Sequence, residues 1–133
     1  MFLSLDFVYV PTGDVDGAAD RYAALFGARL EWKVRGMGTV VACLRVSDHG
    51  PAVLLSGHLE GENPILVYRV SDYAATVAHL RAGGVTQIDE LEIPHGPCAS
   101  FRAPGGQRMA VYQLVRPGVE AHFAGRFDEE RAG

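Results

Sequence analysis

Hydrophobic and polar positions follow strand, helix and strand periods in turn along the first half of the chain. Residues 2–10 are rich in β-branched and aromatic side chains and predict a strand that ends at the turn formers 11–13. After Asp14, apolar residues recur at intervals of three and four, which predicts an amphipathic helix that ends at Gly27. Three more apolar runs predict strands at 30–34, 39–46 and 52–56. The first half therefore predicts a βαβββ module.

The second half of the chain repeats this order of elements. It predicts a strand at 65–70, followed by a helix that begins after Asp72 and ends at Gly83. Three further strands are predicted at 86–93, 99–102 and 109–115. A duplicated unit determines the fold before any chemistry is considered. We expect one α+β domain at 1–116, with modules at about 3–58 and 64–115. A tail at 117–133 follows, which is either a short docking helix or frayed.

Composition narrows the function classes. The chain has 48% hydrophobic and 21% charged residues, which is typical of a soluble globular protein, and its formal charge of −4 includes no basic stripe for nucleic acid. Its apolar runs are far shorter than the ~20 residues of a membrane helix, and the first residues lack the features of a secretion signal. Without an export signal, Cys43 and Cys98 are interpreted as buried apolar residues rather than as a disulfide. These observations predict a cytoplasmic protein that binds neither nucleic acid nor membrane.

Several short motifs occur in the order and at the spacing of a known superfamily. They are the strand Leu5–Val10, Asp14 with Arg21-Tyr22 and Leu25-Phe26-Gly27, the strand and cap Ile65–Asp72, Leu80 with Gly83-Gly84-Val85, and Phe101–Val111. With its paired βαβββ modules, the chain resembles the vicinal oxygen chelate superfamily, the group of glyoxalase I, bleomycin-resistance proteins and extradiol dioxygenases. The resemblance covers about residues 3–115 and implies two half-barrels that enclose a cavity.

The resemblance also implies where a divalent metal would be held. Metal-bearing members commonly place a His or Gln on the first strand of each module, before the Asp that opens the helix, and a Glu or similar ligand on each last strand. These positions correspond to Phe7, Ile65, Leu54 and Ala110, whose side chains cannot bind a metal ion. Asp6 is adjacent to the first of them, but strand alternation predicts that it faces the opposite side. We therefore expect neither a metal site nor a cofactor.

The five histidines include one candidate for catalysis. Four of the histidines lie in predicted loops, in the second helix or in the tail, and we interpret them as exposed to solvent: His49, His58, His79 and His122. His95 lies in the loop 94–97, which precedes a strand and, by the resemblance, sits at the mouth of the cavity. It is the candidate for contact with a ligand or for proton transfer.

Strand alternation predicts which side chains share the face that would carry metal ligands. This face is apolar and aromatic with a few polar tips, which suits a planar or hydrophobic organic molecule. The predicted ligand-binding residues are Phe7, Tyr9, Trp32, Leu54, Ser56, Ile65, Val67, Arg69, Ala110 and Tyr112. Arg69 either orients a ligand as a cation or extends into solvent at the strand end. Trp32 either stacks on a ligand or fills the core.

Three hypotheses for function follow. The first is a metal-free protein, similar to the bleomycin-resistance branch, that sequesters a small hydrophobic or aromatic compound. The alternative is a metal-independent enzyme of the lyase or isomerase type, which would use His95, Arg69 or a tyrosine for acid–base chemistry on a small organic substrate and would need a defined polar pair in the cavity. A divalent-metal glyoxalase or dioxygenase would need ligands at other positions. By the same resemblance, we expect a homodimer.

Overall fold

Eight strands and three helices form in the residues that the computed structural model describes, which are 2–36, 38–59 and 61–128. In chain order they are β1 (Phe2–Pro11), α1 (Val15–Phe26), β2 (Arg29–Gly36), β3 (Thr39–Arg45), β4 (Ala52–Ser56), β5 (Ile65–Val70), α2 (Tyr73–Ala82), β6 (Asp89–Ile93), β7 (Gly96–Arg102), β8 (Arg108–Tyr112) and α3 (Val119–Phe123). Among these helices, none has the length and apolar character needed to traverse a bilayer.

All eight strands belong to one mixed sheet whose two halves mirror each other. The strand order is β2-β3-β4-β1-β5-β8-β7-β6, so that the first strand of each module lies at the centre and pairs in parallel with the last strand of its own module. The two first strands pair with each other in antiparallel fashion. The sheet is curled and not closed, as in a pair of half-barrels. The predicted α+β fold of two βαβββ modules is therefore confirmed.

Both long helices begin and end where the sequence predicts. The Asp14 carboxylate accepts a hydrogen bond from the backbone N–H of Gly17, and Asp72 caps α2 in the same way. Gly27 ends α1 in the left-handed conformation, at φ 67°. Each helix packs on the same face of the sheet, where α1 covers Ala42 and Leu44. The opposite face, which we call the inner face, is left for the site.

Several strand boundaries in the second module differ from the prediction. β6 begins at Asp89 rather than at residue 86, and β8 ends at Tyr112 rather than at residue 115. β7 begins at Gly96, so the predicted loop 94–97 is a tight turn with His95 at its corner. Pro97, which the prediction leaves in the loop, belongs to β7 and pairs in register with Glu92.

The described part of the C-terminal tail docks onto β2. The backbone N–H of Lys33 donates to the Arg126 carbonyl at 2.8 Å, and the N–H of Asp128 donates to the Lys33 carbonyl at 2.8 Å. The ring of Phe123 in α3 stacks against Trp32, with centroids 5.2 Å apart. Of the two alternatives for the tail, the docking helix is therefore the one observed, and residues 129–133 lie outside the described part of the chain.

Candidate functional site

The residues predicted to line a ligand cavity come together on the inner face. Most of them form one cluster of buried side chains, each at most 8% exposed: Phe7, Trp32, Leu54, Ile65, Val67, Ala110 and Tyr112. Tyr9 packs against this cluster, and Ser56 is fully buried on β4 with its hydroxyl 3.4 Å from the Leu54 carbonyl. Strand alternation therefore predicted the common face correctly, whereas the role of these residues in ligand binding stays a prediction.

The centre of this face is a packed layer. Phe7 lies against Tyr112 with ring centroids 5.7 Å apart, and Trp32 is 7% exposed beneath Phe123. The two cysteines belong to the same layer, where burial raises the pKa of Cys43 to about 12 and that of Cys98 to about 11. Both thiols are free and buried. Because these side chains pack against one another, the layer forms a rigid support for the neighbouring polar groups.

A pocket of about 200 Å³, which we call the His95 pocket, opens at one end of the packed layer. Its apolar walls include Leu5, Phe7 and Leu114. Its polar and charged lining comprises Asp6, Arg45, Arg69, His95, Tyr112 and Glu120. Of the predicted site residues, Phe7, Arg69, His95 and Tyr112 reach this pocket. The pocket therefore joins an apolar wall to a dense set of ionisable groups.

Asp6 lies in this pocket, although strand alternation predicts that it faces away. The pairing of β1 with β5 shifts between Leu5 and Phe7, which oppose the adjacent residues Tyr68 and Val67. Asp6 is therefore an extra residue in the ladder, and a bulge of this kind can turn it toward the face of Phe7. The prediction was wrong because it assumed an unbroken period of two.

The bulge connects Asp6 to two neighbouring strands. The Tyr112 hydroxyl donates a hydrogen bond to Oδ2 of Asp6, and Nε of Arg69 lies 3.4 Å from the same oxygen. The Ser4 hydroxyl donates to Oδ1 at 2.5 Å. Burial, and then the hydrogen bond to Asp6, raises the pKa of the Tyr112 phenol, which therefore stays protonated. Arg69 does not simply extend into solvent, since its side chain is 37% exposed and ion-paired.

His95 is held by a carboxylate from the C-terminal helix. The His95 side chain is 7% exposed, its ring centroid lies 5.0 Å from that of Phe7, and its Nε2 lies 2.5 Å from Oε1 of Glu120. The hydrogen bond to His95 keeps the pKa of Glu120 below its usual value, and the indole of Trp32 adds to this effect without reaching hydrogen-bond geometry. The other ring nitrogen, Nδ1, is buried without a hydrogen-bond partner among the described residues. A carboxylate that fixes one imidazole nitrogen leaves the other available for proton transfer.

The inner face does not fit a divalent metal ion. The positions that the resemblance assigns to metal ligands hold buried apolar side chains, namely Phe7, Leu54, Ile65 and Ala110. Within the described ranges, no three His, Cys, Asp or Glu side chains are grouped so as to hold a metal ion. The carboxylate of Asp6 is the nearest substitute, and it is already engaged by Arg69 and Tyr112. A divalent ion would lack the four to six donors that it needs at this face.

Sequence reasoning missed three charged residues of the pocket: Asp6, Arg45 and Glu120. Asp6 could have been noticed because it is an acidic residue inside an apolar strand. For Glu120, the only signal in the sequence was the possibility that the tail forms a docking helix. Arg45 lies at the end of β3, where an arginine is common without any functional role. The histidines interpreted as solvated include His79, which is exposed on α2, and His122, which is exposed on α3.

Comparison with protein-family models and with curated proteins finds no match. Solved structures do match. The methylmalonyl-CoA epimerase of Mycobacterium tuberculosis is 20% identical and has a TM-score of 0.70, over 87% of this chain and 91% of that chain. A variant of the Streptomyces coelicolor methylmalonyl-CoA epimerase, in complex with 2-nitronate-propionyl-CoA, is 15% identical with a TM-score of 0.71, over 87% and 97%. A hypothetical protein of Bacillus halodurans is 13% identical with a TM-score of 0.65, over 98% and 97%. At these identities the likeness establishes the fold alone, which is the paired βαβββ arrangement that the resemblance in the sequence implied.

Proposed function

We propose that this protein is a metal-independent enzyme of the lyase or isomerase type, which moves a proton on a small organic substrate. The observation that carries the proposal is the His95 pocket, where a carboxylate-held imidazole and a tyrosine–aspartate–arginine group meet within about 200 Å³. Grouped ionisable side chains of this kind, beside an apolar wall, are typical of active sites. The alternative hypothesis from the sequence required a defined polar pair, and the pocket contains two.

His95 is assigned the role of general base. In the neutral imidazole, Nε2 donates its proton to Glu120 and Nδ1 keeps a free lone pair. Nδ1 would take a proton from the carbon next to a substrate carbonyl, and the electron pair of that C–H bond would move onto the carbonyl oxygen. The proton then returns to carbon in an isomerisation, or a group leaves from the next carbon in an elimination. Glu120 acts as a positioning residue that sets the tautomer.

Arg69 is assigned to the developing oxyanion. Its Nε faces Asp6, so the terminal nitrogens of the guanidinium are left for a substrate oxygen. Asp6 holds this guanidinium in place, and the Tyr112 hydroxyl in turn holds the Asp6 carboxylate. Preorganised donors of this kind stabilise an enolate without needing a metal ion.

The matching epimerases support an enzyme over a storage protein. Their chemistry inverts a stereocentre, and at a carbon next to a carbonyl this requires a proton to leave and return. The sequestration hypothesis needs an apolar cavity for a hydrophobic compound, whereas the centre of the inner face is filled by its own side chains, such as Phe7 and Trp32. Sequestration is therefore the competing hypothesis that the following experiment distinguishes from catalysis.

The test is uptake of deuterium from D₂O into probes with an acidic C–H bond, followed by NMR. The probes are pyruvate, acetoacetate and methylmalonyl-CoA, and the variants are His95→Gln and, as a matched control, His79→Gln on the exposed face of α2. We expect catalysed uptake into at least one probe, which falls by about 10²–10⁴-fold in His95→Gln and is retained in His79→Gln. Equal uptake by both variants would contradict the assignment of His95. Tight binding of aromatic compounds with no exchange into any probe would favour sequestration.

We also propose that the protein is a cytoplasmic homodimer, as expected from the sequence. Large apolar side chains that are exposed in the single chain support a second copy as the partner, among them Leu25 and Phe26 at the end of α1, which are 62% and 58% exposed. Size-exclusion chromatography with light scattering measures the mass directly. A mass near twice 14.3 kDa supports the dimer, and a mass near 14.3 kDa contradicts it.

A further inference from the structure

A second and larger groove, of about 690 Å³, lies over the far strands of the second module. It shares no lining residue with the His95 pocket. Its floor includes Ser100 and Arg102 of β7 and Arg108 of β8, and residues 58–59 and 61–63 form one wall. We call it the arginine groove, and nothing in the proposed function uses it.

The two arginines face each other across the sheet. Arg102 pairs in register with Arg108 in the antiparallel β7–β8 ladder, and directly opposite residues point to the same side. Like charges at opposed positions destabilise a sheet. A bound anion would remove this repulsion, so the pair is better explained by a ligand than by folding.

Neither arginine is neutralised by the described residues around it. One terminal nitrogen of Arg102 donates to the Gly106 carbonyl at 2.9 Å, and no ion pair joins Arg102 or Arg108 to a described carboxylate. Glu62 and Asp89 also line the groove and are exposed to solvent. Among the described residues, the groove therefore combines two guanidinium groups, which make no ion pair, with two exposed carboxylates.

We infer that the arginine groove binds the phosphate group of a small organic molecule. A phosphate monoester carries a charge of about −1.5 to −2 and three acceptor oxygens, which match two guanidinium groups better than a single carboxylate does. The side chains of Ser100, Asn63 and Gln87 add neutral hydrogen-bond donors to the same lining. The volume of the groove exceeds that of a phosphate ion and leaves room for the organic part of the ligand.

The experiment measures binding of inorganic phosphate and pyrophosphate by calorimetry and thermal shift, at an ionic strength kept constant with NaCl. The variants are Arg102→Gln and Arg108→Gln, and the control is Arg29→Gln, which makes the same charge change at an exposed position on β2. We expect each groove variant to weaken binding by about tenfold or more, since it removes charge-assisted hydrogen bonds, and the control to bind like the wild type. In ligand-free buffer, Arg108→Gln should unfold at the same or a higher temperature, because it relieves the repulsion.

Three results would overturn the inference. One is unchanged phosphate binding in both groove variants, which would mean that phosphate binds elsewhere or not at all. Another is the same loss in Arg29→Gln, which would indicate a response to net charge alone. The third is binding of succinate or citrate with equal or greater affinity than pyrophosphate, which would exclude phosphate as the preferred group.

Discussion

The replacement Gly96→Ala should damage both the stability and the site, because of how tightly the β6–β7 turn fits the end of β8. Gly96 adopts φ 156°, a conformation that L-residues rarely use. A Cβ atom at this position would lie 2.1 Å from the Gln113 carbonyl oxygen and 3.0 Å from a methyl group of Val115. The chain cannot simply move apart here, because the N–H of Val115 donates to the His95 carbonyl at 3.0 Å.

The cost can be estimated from the two effects that the methyl group introduces. Overpacking against a backbone atom costs about 1–3 kcal/mol. The strained backbone adds about 1–3 kcal/mol. Since relaxation relieves part of both, we expect a loss of about 2–4 kcal/mol in the free energy of unfolding, or roughly 8–15 °C in Tm for a chain of this size.

The assay is urea unfolding followed by circular dichroism, with Gly13→Ala as the control. A methyl group on Gly13 would meet no atom within 4 Å, and this glycine has no positive φ, so its replacement should change the free energy of unfolding by less than about 0.5 kcal/mol. Because His95 precedes Gly96, we also expect Gly96→Ala to lower the rate of proton exchange. If the stability of Gly96→Ala stayed within about 0.5 kcal/mol of the wild type, which is the scatter of surface variants, the claimed fit of this turn would be refuted.

Three further predictions concern the groups around the site. Tyr112→Phe should lower the free energy of unfolding by about 1–2 kcal/mol, because it removes a hydrogen bond to the Asp6 carboxylate, whereas Tyr22→Phe should change it by less than about 0.5 kcal/mol; urea unfolding measures both. The lowered pKa of Glu120 means that its stabilising contact is complete above the usual value of 4.5 and is lost as the pH falls through the lowered pKa, so the fluorescence of Trp32 should change in a transition below pH 4.5 that Glu120→Gln should abolish. The two buried thiols, with pKa values raised to about 12 and about 11, should react slowly with Ellman's reagent in the native protein, and both should react at once after denaturation; fast labelling of the native protein would contradict their burial.

The fold was predictable because local signals and the repeat agreed with each other. Asp14 and Asp72 act as helix caps at matching places in the two modules, and the apolar strands between them follow a period of two. Strand alternation then placed Phe7, Val67 and Ala110 on one face, as the structure does. These predictions depend on neighbours in sequence, which is why they needed no knowledge of tertiary contacts.

The site was predictable only in part, because its charged residues depend on contacts between distant segments. Glu120 reaches His95 across 25 positions, and Tyr112 reaches Asp6 across 106. The bulge that turns Asp6 inward has no local sequence mark apart from the carboxylate itself. The packing at the centre of this face was also not predictable from composition, since an apolar face can as readily pack on itself as receive a ligand.

Proton transfer that needs no metal ion is the central claim about this protein. The decisive measurement is the rate of deuterium uptake into the best probe, with the wild-type protein in excess EDTA and again after addition of Mn²⁺, Co²⁺, Ni²⁺ or Zn²⁺. We predict the same catalysed rate in every condition, because in the proposed mechanism His95 is the base and Arg69 stabilises the oxyanion. A rate that disappears in EDTA and returns with a stoichiometric metal ion would contradict this claim.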